Sequence, residues 1–267
     1  MRLEPRDRQV LAETFASRVI RRDDLISFGL FGSIGRCNAR LLQLRTAGFL
    51  KLKTQLNGAD LQAPYYSCTA LGVRLAAGEL NIPAAEAIEI HRAGTRDHTL
   101  RHSLSCNDLR SKFRRELGGA TKLKLVEWSP ELLCRHEFQS SSGKIVTMKP
   151  DALAIVNEGG HDRFIFIEVD LGNVSLSKFE EKVDRYRLYA CSRAFTDVYG
   201  ADSFLVLTVT TDERRLSHLA GIASSIDFIF TTWRRLSQGK VVDPIFANGG
   251  FDQQHLMSGI HAATGAS

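Results

Sequence analysis

Three carboxylates lie close together in the segment KPDALAIVNEGGHDRFIFIEVDLGN, residues 149–173. Asp151 precedes one apolar run, and Glu168 and Asp170 stand at the end of the next. Burying a carboxylate is costly unless it is paired or ligates a metal, so this pattern predicts either a metal site or a salt-bridged strand end. Three carboxylates supply the oxygen ligands that suit Mg²⁺ or Mn²⁺.

Two predicted strands must bring these carboxylates together. Side chains alternate along a strand, so Glu168 and Asp170 point to the same face of the strand predicted over 163–170. The strand predicted over 152–157 is joined to it by the short turn NEGGHD, and the two should pair as a hairpin. That pairing predicts that Asp151 meets the other two carboxylates at one end of a sheet.

A helix predicted over about 175–195 follows this hairpin. Its apolar stripe is flanked by a basic face on which Lys182 lies near the carboxylates. Lys182 could hold a water or a phosphate beside a metal. The structural alternative is that Glu168 and Asp170 form ion pairs with Lys178 or Lys182. Further short strands, one of them over about 132–138, and a second helix predict a mixed α/β arrangement for this half of the chain.

The N-terminal part is organised differently. Helices are predicted at RDRQVLAETFASRVI, DLISFG and SIGRCNARLLQLRTAG, followed by a hairpin with arms at 49–55 and 65–68 around Asn57-Gly58. Three helices and a hairpin are the elements of a winged helix-turn-helix, whose third helix enters the major groove of DNA. A domain for protein contacts or dimerisation is the alternative interpretation.

On the third predicted helix, Cys37, Leu41 and Leu44 are expected to face inward, and Gly48 is expected to end the helix. Arg36 and Arg40 are expected on its solvent face. This face and the wing carry side chains that reach phosphates and base edges. These candidate DNA-binding residues are Arg36, Asn38, Arg40 and Gln43 on the helix, and Lys51 and Lys53 on the hairpin.

Charge distribution agrees with a polyanionic partner. Residues 1–53 hold 11 Lys/Arg against 5 Asp/Glu, residues 96–124 hold 8 against 3, and residues 150–200 reverse the balance with 6 against 9. Five scattered cysteines without a CxxC pair indicate reduced thiols, and no 18-residue apolar run or signal peptide is evident. We therefore expect a cytoplasmic protein without membrane contact, and its oligomeric state stays open, a homodimer included.

The motifs KPDALAIV and FIFIEVD resemble those of the PD-(D/E)xK nuclease superfamily. The resemblance implies a restriction-endonuclease-like mixed-sheet domain in which Asp151 and Glu168 bind a divalent metal. The superfamily's lysine position is occupied by Asp170, which is a departure from the pattern. Some branches carry this lysine on the next helix, where Lys182 is the candidate.

A wider set of motifs resembles the replication-relaxation family of plasmids and integrative elements. They are LLQLRTAGFL, YYSCTALG, HTLRHSLSCNDLR, VEWSPE, KPDALAIV, IFIEVDLGN and EKVDRYRLY, between about residues 6 and 232. The resemblance implies a DNA-binding protein of a mobile element, with double-stranded DNA and other proteins of the element as partners.

The resulting prediction is an α/β (α+β) chain of four segments. They are a winged helix at 1–80, a connector at 81–95, a nuclease-like domain at 96–246 and a flexible tail at 247–267. Two functions stay open. The nuclease-like domain either binds DNA and metal without cleavage, or is a Mg²⁺-dependent endonuclease that uses Asp151, Glu168 and Lys182, with Asp170 as a further ligand.

Overall fold

The computed structural model describes residues 2–56, 59–93, 97–119, 122–223, 228–248 and 253–256. The chain divides into two compact units, Met1–Arg115 and Glu116–Ser267. This division falls about twenty residues after the start expected for the second domain, and the predicted domain limits stay a prediction. Within the described ranges, no helix is long and apolar enough to cross a membrane.

The first unit begins with three helices and an antiparallel hairpin, in the predicted order. These elements are α1 (Pro5–Ala16), α2 (Arg22–Ser27), α3 (Ile34–Thr46), β1 (Leu50–Leu56) and β2 (Ala59–Cys68). Three further helices follow, α4 (Ala70–Glu79), α5 (Ala84–Ala93) and α6 (Asp97–Leu117). The expected turn at Asn57-Gly58 lies outside the described residues.

Helix α3 forms where its sequence predicts it. The Ser33 hydroxyl caps the helix by accepting from the backbone N–H of Arg36 at 3.4 Å. The buried face consists of Cys37, Leu41 and Leu44. Gly48 follows the helix with φ of +79°, a left-handed conformation that glycine adopts without strain. The predicted inward face and the terminal glycine are confirmed.

The second unit alternates strands and helices. Its strands are β3 (Leu123–Pro130), β4 (His136–Gln139), β5 (Ile145–Met148), β6 (Ala152–Glu158), β7 (His161–Val169), β8 (Phe204–Thr210), β9 (Phe228–Thr232), β10 (Phe246–Ala247) and β11 (Gln253–Gln254). Its helices are α7 (Glu131–Cys134), α8 (Leu176–Ala190), α9 (Ala194–Tyr199), α10 (Glu213–Ile222) and α11 (Trp233–Gln238).

Seven of these strands form one mixed sheet, in the order β11-β10-β9-β8-β7-β6-β3. Strands β7, β8 and β9 are parallel, so their carboxyl ends meet at one edge of the sheet. Strand β6 runs antiparallel to β7, with Ala152 opposite Ile167, and therefore begins at that same edge. The predicted α/β class and the predicted β6–β7 hairpin are confirmed. Strands β4 and β5 form a separate hairpin.

The core of the second unit lies between the sheet and its helices. Alternate residues of β7, among them Phe164 and Phe166, pack on Phe179, Val183 and Tyr186 of α8. This packing fixes α8 over the end of β7. Apolar burial at about 25 cal/mol per Å² is the main term that holds the two elements together.

One prediction for this unit is wrong, and one strand was not predicted. The strand expected over 132–138 begins as helix α7 and becomes strand β4 only at His136. The sequence pattern does not predict strand β3, because it is a sheet edge that leaves Lys124 and Val126 exposed and carries a bulge between Leu125 and Glu127. The predicted flexible tail falls largely outside the described residues, although Gln253–Gln254 pairs with β10.

Candidate functional site

Glu168 lies at the end of β7 and is 2% exposed. Both of its carboxylate oxygens are bound by helix α8. The Tyr186 hydroxyl donates to Oε1 at 2.7 Å, and the Lys182 ammonium forms an ion pair with Oε2. Tyr186 and Lys182 are four residues apart, so one helical face presents both donors to the same carboxylate.

Asp151 lies beside this carboxylate because β6 begins where β7 ends. Its backbone N–H donates to the carbonyl oxygen of Ile167 at 3.0 Å, and its Oδ2 accepts from the backbone N–H of Val169 at 2.7 Å. The backbone N–H of Glu131 donates to the Asp151 carbonyl oxygen at 3.0 Å. These backbone contacts fix Asp151 relative to Glu168.

The electrostatics reflect this proximity. Burial raises the pKa of the Glu168 carboxyl; the charge of Lys182 opposes the rise and the charge of Asp151 adds to it. Burial works to lower the pKa of the Lys182 ammonium, but the charges of Glu168 and Asp151 outweigh it and raise that pKa. Two carboxylates and one ammonium therefore form a single coupled group, with Lys182 charged at neutral pH.

Asp170 has different partners. Its Oδ2 accepts from the Thr210 hydroxyl and from Arg215 Nε, both at 2.8 Å, and its Oδ1 accepts from Arg215 Nη2 at 3.2 Å. The backbone N–H of Gly172 donates to the same Oδ1 at 3.3 Å. Arg215 thus neutralises Asp170 and ties the segment after β7 to the start of α10.

The described residues contain no group of three or more His, Cys, Asp or Glu side chains arranged to hold a metal. The expected convergence of three carboxylates is therefore not found, and the Arg215 guanidinium provides the reason, because it satisfies Asp170 directly. Whether the protein binds a metal stays a prediction.

Asp151 and Glu168 still suit a divalent cation. Each carboxylate oxygen offers two lone pairs, so the hydrogen bonds already present leave acceptor capacity on both residues. Mg²⁺ is commonly held by one or two carboxylates, with waters and substrate phosphates as its other ligands. These two residues therefore supply a donor set that fits Mg²⁺ or Mn²⁺.

In the first unit, four of the six candidate DNA-binding residues are solvent-exposed and have no side-chain hydrogen bond or ion pair to another described residue. They are Arg36 and Asn38 on α3 and Lys51 and Lys53 on β1. Exposure leaves their polar groups available to a partner.

The other two candidates are engaged within the unit. Arg40 has an 18% exposed side chain and forms a two-atom ion pair with Asp7 of α1, which is fully buried. Arg40 Nη1 also donates to Gln43 Oε1 at 2.6 Å. The expectation that Arg40 lies on the solvent face is wrong, because the buried Asp7 carboxylate requires a cation and Arg40 supplies it. Arg40 thus ties α3 to α1.

Sequence reasoning missed several side chains of both sites. The apolar stripe of α8 assigns Tyr186 to packing, although its position four residues after Lys182 indicates that it shares the lysine's direction. Thr210 ends β8 and Arg215 lies in the first turn of α10, so both can be placed only once the parallel strand ends are known. Arg45 is a further exposed cation on α3, next to the candidates already named.

The second unit is an α/β unit with two neighbouring carboxylates at one edge of its sheet and a lysine of α8 beside them, and the first unit consists of helices and a hairpin. A family model described as replication-relaxation matches residues 26–203, about two-thirds of the chain. The chain belongs to the replication-relaxation family, and this membership supports a function related to the replication or relaxation of a mobile element.

The matched range extends from α2 to just before β8 and includes Asp151, Glu168 and Lys182. Comparisons with curated proteins and with solved structures gave no match.

Proposed function

We propose that this protein binds double-stranded DNA of a mobile element through its first unit and cleaves DNA at a divalent-metal site in its second unit. One observation carries the catalytic part: Lys182 of α8 is in contact with the buried Glu168, and Asp151 lies beside them. Two acids and a lysine are the side chains that the PD-(D/E)xK nucleases use, and the lysine here comes from the helix.

Asp151 and Glu168 would hold the metal, which would stabilise negative charge on the phosphate as the phosphodiester bond breaks. Lys182 keeps a 25% exposed side chain, and an ammonium group has three donors. It can therefore donate to Glu168 and also to a water or a phosphate oxygen. Tyr186 fixes the orientation of Glu168 from the buried side.

The pairing of Asp170 with Arg215 also supports cleavage. An unpaired third carboxylate would repel both a phosphate and the neighbouring acids. Arg215 removes that repulsion within the protein. On this proposal, Asp170 departs from the superfamily pattern because it forms a structural ion pair with Arg215. Lys182 then takes the role of the superfamily's lysine.

The first unit is the proposed winged helix. Its α3 would lie in the major groove and its β1–β2 hairpin along the backbone. Arg36 and Asn38 would contact base edges or phosphates, and Lys51 and Lys53 would contact phosphates. Gln43 is exposed as well, and its amide nitrogen can still donate to a base because only its oxygen is bound by Arg40.

A second candidate is DNA binding without cleavage. The observation that favours it is the same ion pair, since Lys182 and Tyr186 already satisfy both oxygens of Glu168. In that case the acidic site is a salt-bridged end of the sheet. The domain would then be a docking platform for DNA or for another protein of the element.

Incubation with supercoiled, linear and single-stranded DNA, in Mg²⁺ or Mn²⁺, separates the two functions. We expect cleavage by the wild type, and loss of cleavage in Asp151→Ala and Lys182→Ala. Lys178→Ala is the matched control, because Lys178 is an exposed lysine one turn earlier on α8. Metal-dependent DNA binding without any cleavage would establish the second candidate instead.

A further inference from the structure

A groove of about 610 Å³ lies between strand β5 and helix α8 of the second unit. Its charged walls include Lys144 and Lys149 from the β5 side and Arg185 from α8. All three are exposed, and none forms an ion pair with another described residue. Unneutralised cations along a groove favour an anionic occupant.

The acidic residues of the groove do not cancel this charge. Asp184 pairs with Arg187 at 2.8 Å, so its charge is already matched. Glu181 is the remaining acid among the groove residues. Three cations against one unmatched carboxylate leave the groove positive.

Two residues of the groove are close in the chain to residues of the proposed cleavage site. Lys149 precedes Asp151 by two residues, and Arg185 follows Lys182 by one helical turn. The positive charge of Arg185 is close enough to lower the pKa of Lys182 in part. A phosphate bound at Lys149 and Arg185 would therefore be a neighbour of one that faces Asp151 and Glu168.

Apolar side chains complete the groove. Ile145 is 64% exposed and Leu188 is 42% exposed, and both line it. Exposed aliphatic groups can bury the apolar surface of a sugar or a base, while the neighbouring cations bind phosphates. The groove walls are roughly 10 Å long on α8 and roughly 13 Å on β5, so the groove is long enough to contact more than one phosphate of a strand.

We propose that this groove binds the phosphodiester backbone of a single DNA strand next to the bond that is cleaved. The proposal rests on the proposed function, because it treats Asp151 and Glu168 as the cleavage site. It assigns strand binding to Lys144, Lys149 and Arg185, and contact with sugars or bases to Ile145 and Leu188.

Thiol cross-linking tests the position of the strand directly. The full chain is used with Cys106→Ser and Cys191→Ser, which remove the thiols that are not buried. Ile145→Cys is then incubated with a single-stranded oligonucleotide that carries a mixed disulfide tethered to a phosphate, so that thiol–disulfide exchange forms the cross-link and releases the small thiol. Val198→Cys is the matched control, because Val198 is a 54% exposed residue on α9 outside the groove. EDTA is present, so neither metal nor cleavage affects the result.

We expect Ile145→Cys to give several-fold more cross-linked product than Val198→Cys. The double variant Lys149→Gln with Arg185→Gln should bind a single strand about tenfold more weakly at low salt. The slope of log affinity against log salt concentration should become smaller in magnitude by about 1.4, because two phosphate contacts are lost. The charge-matched control is Arg193→Gln with Arg214→Gln, two exposed arginines of the same unit outside the groove.

Equal cross-linking at residues 145 and 198 would overturn the proposal, as would equal losses of binding in the two double variants. Stronger cross-linking of a duplex than of a single strand would overturn the single-strand assignment. Failure of the proposed function has a separate signature, because it shows as absence of metal-dependent cleavage whatever the cross-linking result.

Discussion

Replacing Arg215 by methionine tests the structural function that we assign to Asp170. Arg215 donates two hydrogen bonds to the carboxylate of Asp170, a residue that is 5% exposed. Methionine is unbranched and of similar length, so the substitution removes the charge and the donors while largely filling the same space. Thr210 and Gly172 would remain as donors to Asp170. The carboxylate would then be buried without a compensating charge.

The size of the effect follows from burial. The side chains of Arg215 and Asp170 are 16% and 7% exposed, so the pair is largely removed from water. Breaking a buried pair by removing one partner costs about 3–5 kcal/mol, whereas an exposed pair contributes about 0–1 kcal/mol. Out of a total stability of about 5–15 kcal/mol, Arg215→Met should be among the most destabilising single changes in the chain.

Urea denaturation at pH 7 measures this loss. Both tryptophans, Trp128 and Trp233, belong to the second unit, so their fluorescence reports on the unit that contains the pair. With a slope of about 2 kcal/mol per M, the midpoint should fall by roughly 2 M.

Arg187→Met is the matched control, because Arg187 pairs with Asp184 on an exposed face of α8, with side chains 38% and 59% exposed. This control should change the unfolding free energy by less than about 1 kcal/mol. If Arg215→Met costs no more than Arg187→Met, the Asp170–Arg215 pair does not hold the site together, and Asp170 is free to serve the metal instead.

The remaining predictions concern the first unit. Arg36→Ala with Asn38→Ala should weaken duplex binding in a gel-shift titration by roughly 1–3 kcal/mol for each of the two side chains that reads a base. Arg40→Ala should chiefly lower stability, because it leaves the buried Asp7 unpaired. With about four to six phosphate contacts, the slope of log binding constant against log salt concentration should be roughly −4 to −5. Burial raises the pKa of Asp24 to about 6, so the folded state binds its proton more tightly. Stability should therefore fall by up to about 3 kcal/mol as the pH rises from about 4 to 6, and Asp24→Asn should remove this loss in urea titrations followed by circular dichroism.

Specific results would contradict these predictions. Unchanged binding in the Arg36 and Asn38 variant at about 0.1 M salt would remove α3 as the reader. A flat salt dependence would contradict a DNA partner. Equal pH profiles for the wild type and Asp24→Asn would show that Asp24 does not titrate in this range.

The sequence predicted those parts of the site that depend on local order. Strand alternation and a short turn placed Asp151 next to Glu168, and helical spacing placed Lys182 above them. These relations need only the repeat of each element and the length of one connection. The same reasoning predicted the inward face of α3.

The sequence did not predict partners that meet only in the folded chain. Arg215 is 45 residues from Asp170, and Arg40 is 33 residues from Asp7. Each pair depends on the position of a helix relative to a strand or to another helix, which local patterns do not contain. In both cases a residue expected at a binding site is part of an internal ion pair, because a buried carboxylate needs a cation.

We propose that Asp151 and Glu168 form a divalent-metal site, and calorimetric titration of Mn²⁺ into the full chain tests this assignment. We predict that the wild type and Asp170→Asn bind Mn²⁺, and that Asp151→Asn and Glu168→Gln do not. Each variant replaces a carboxylate by an amide of the same shape, so the comparison separates charge from packing. Absence of binding to the wild type at millimolar Mn²⁺, or binding that persists unchanged in Glu168→Gln, would contradict the claim.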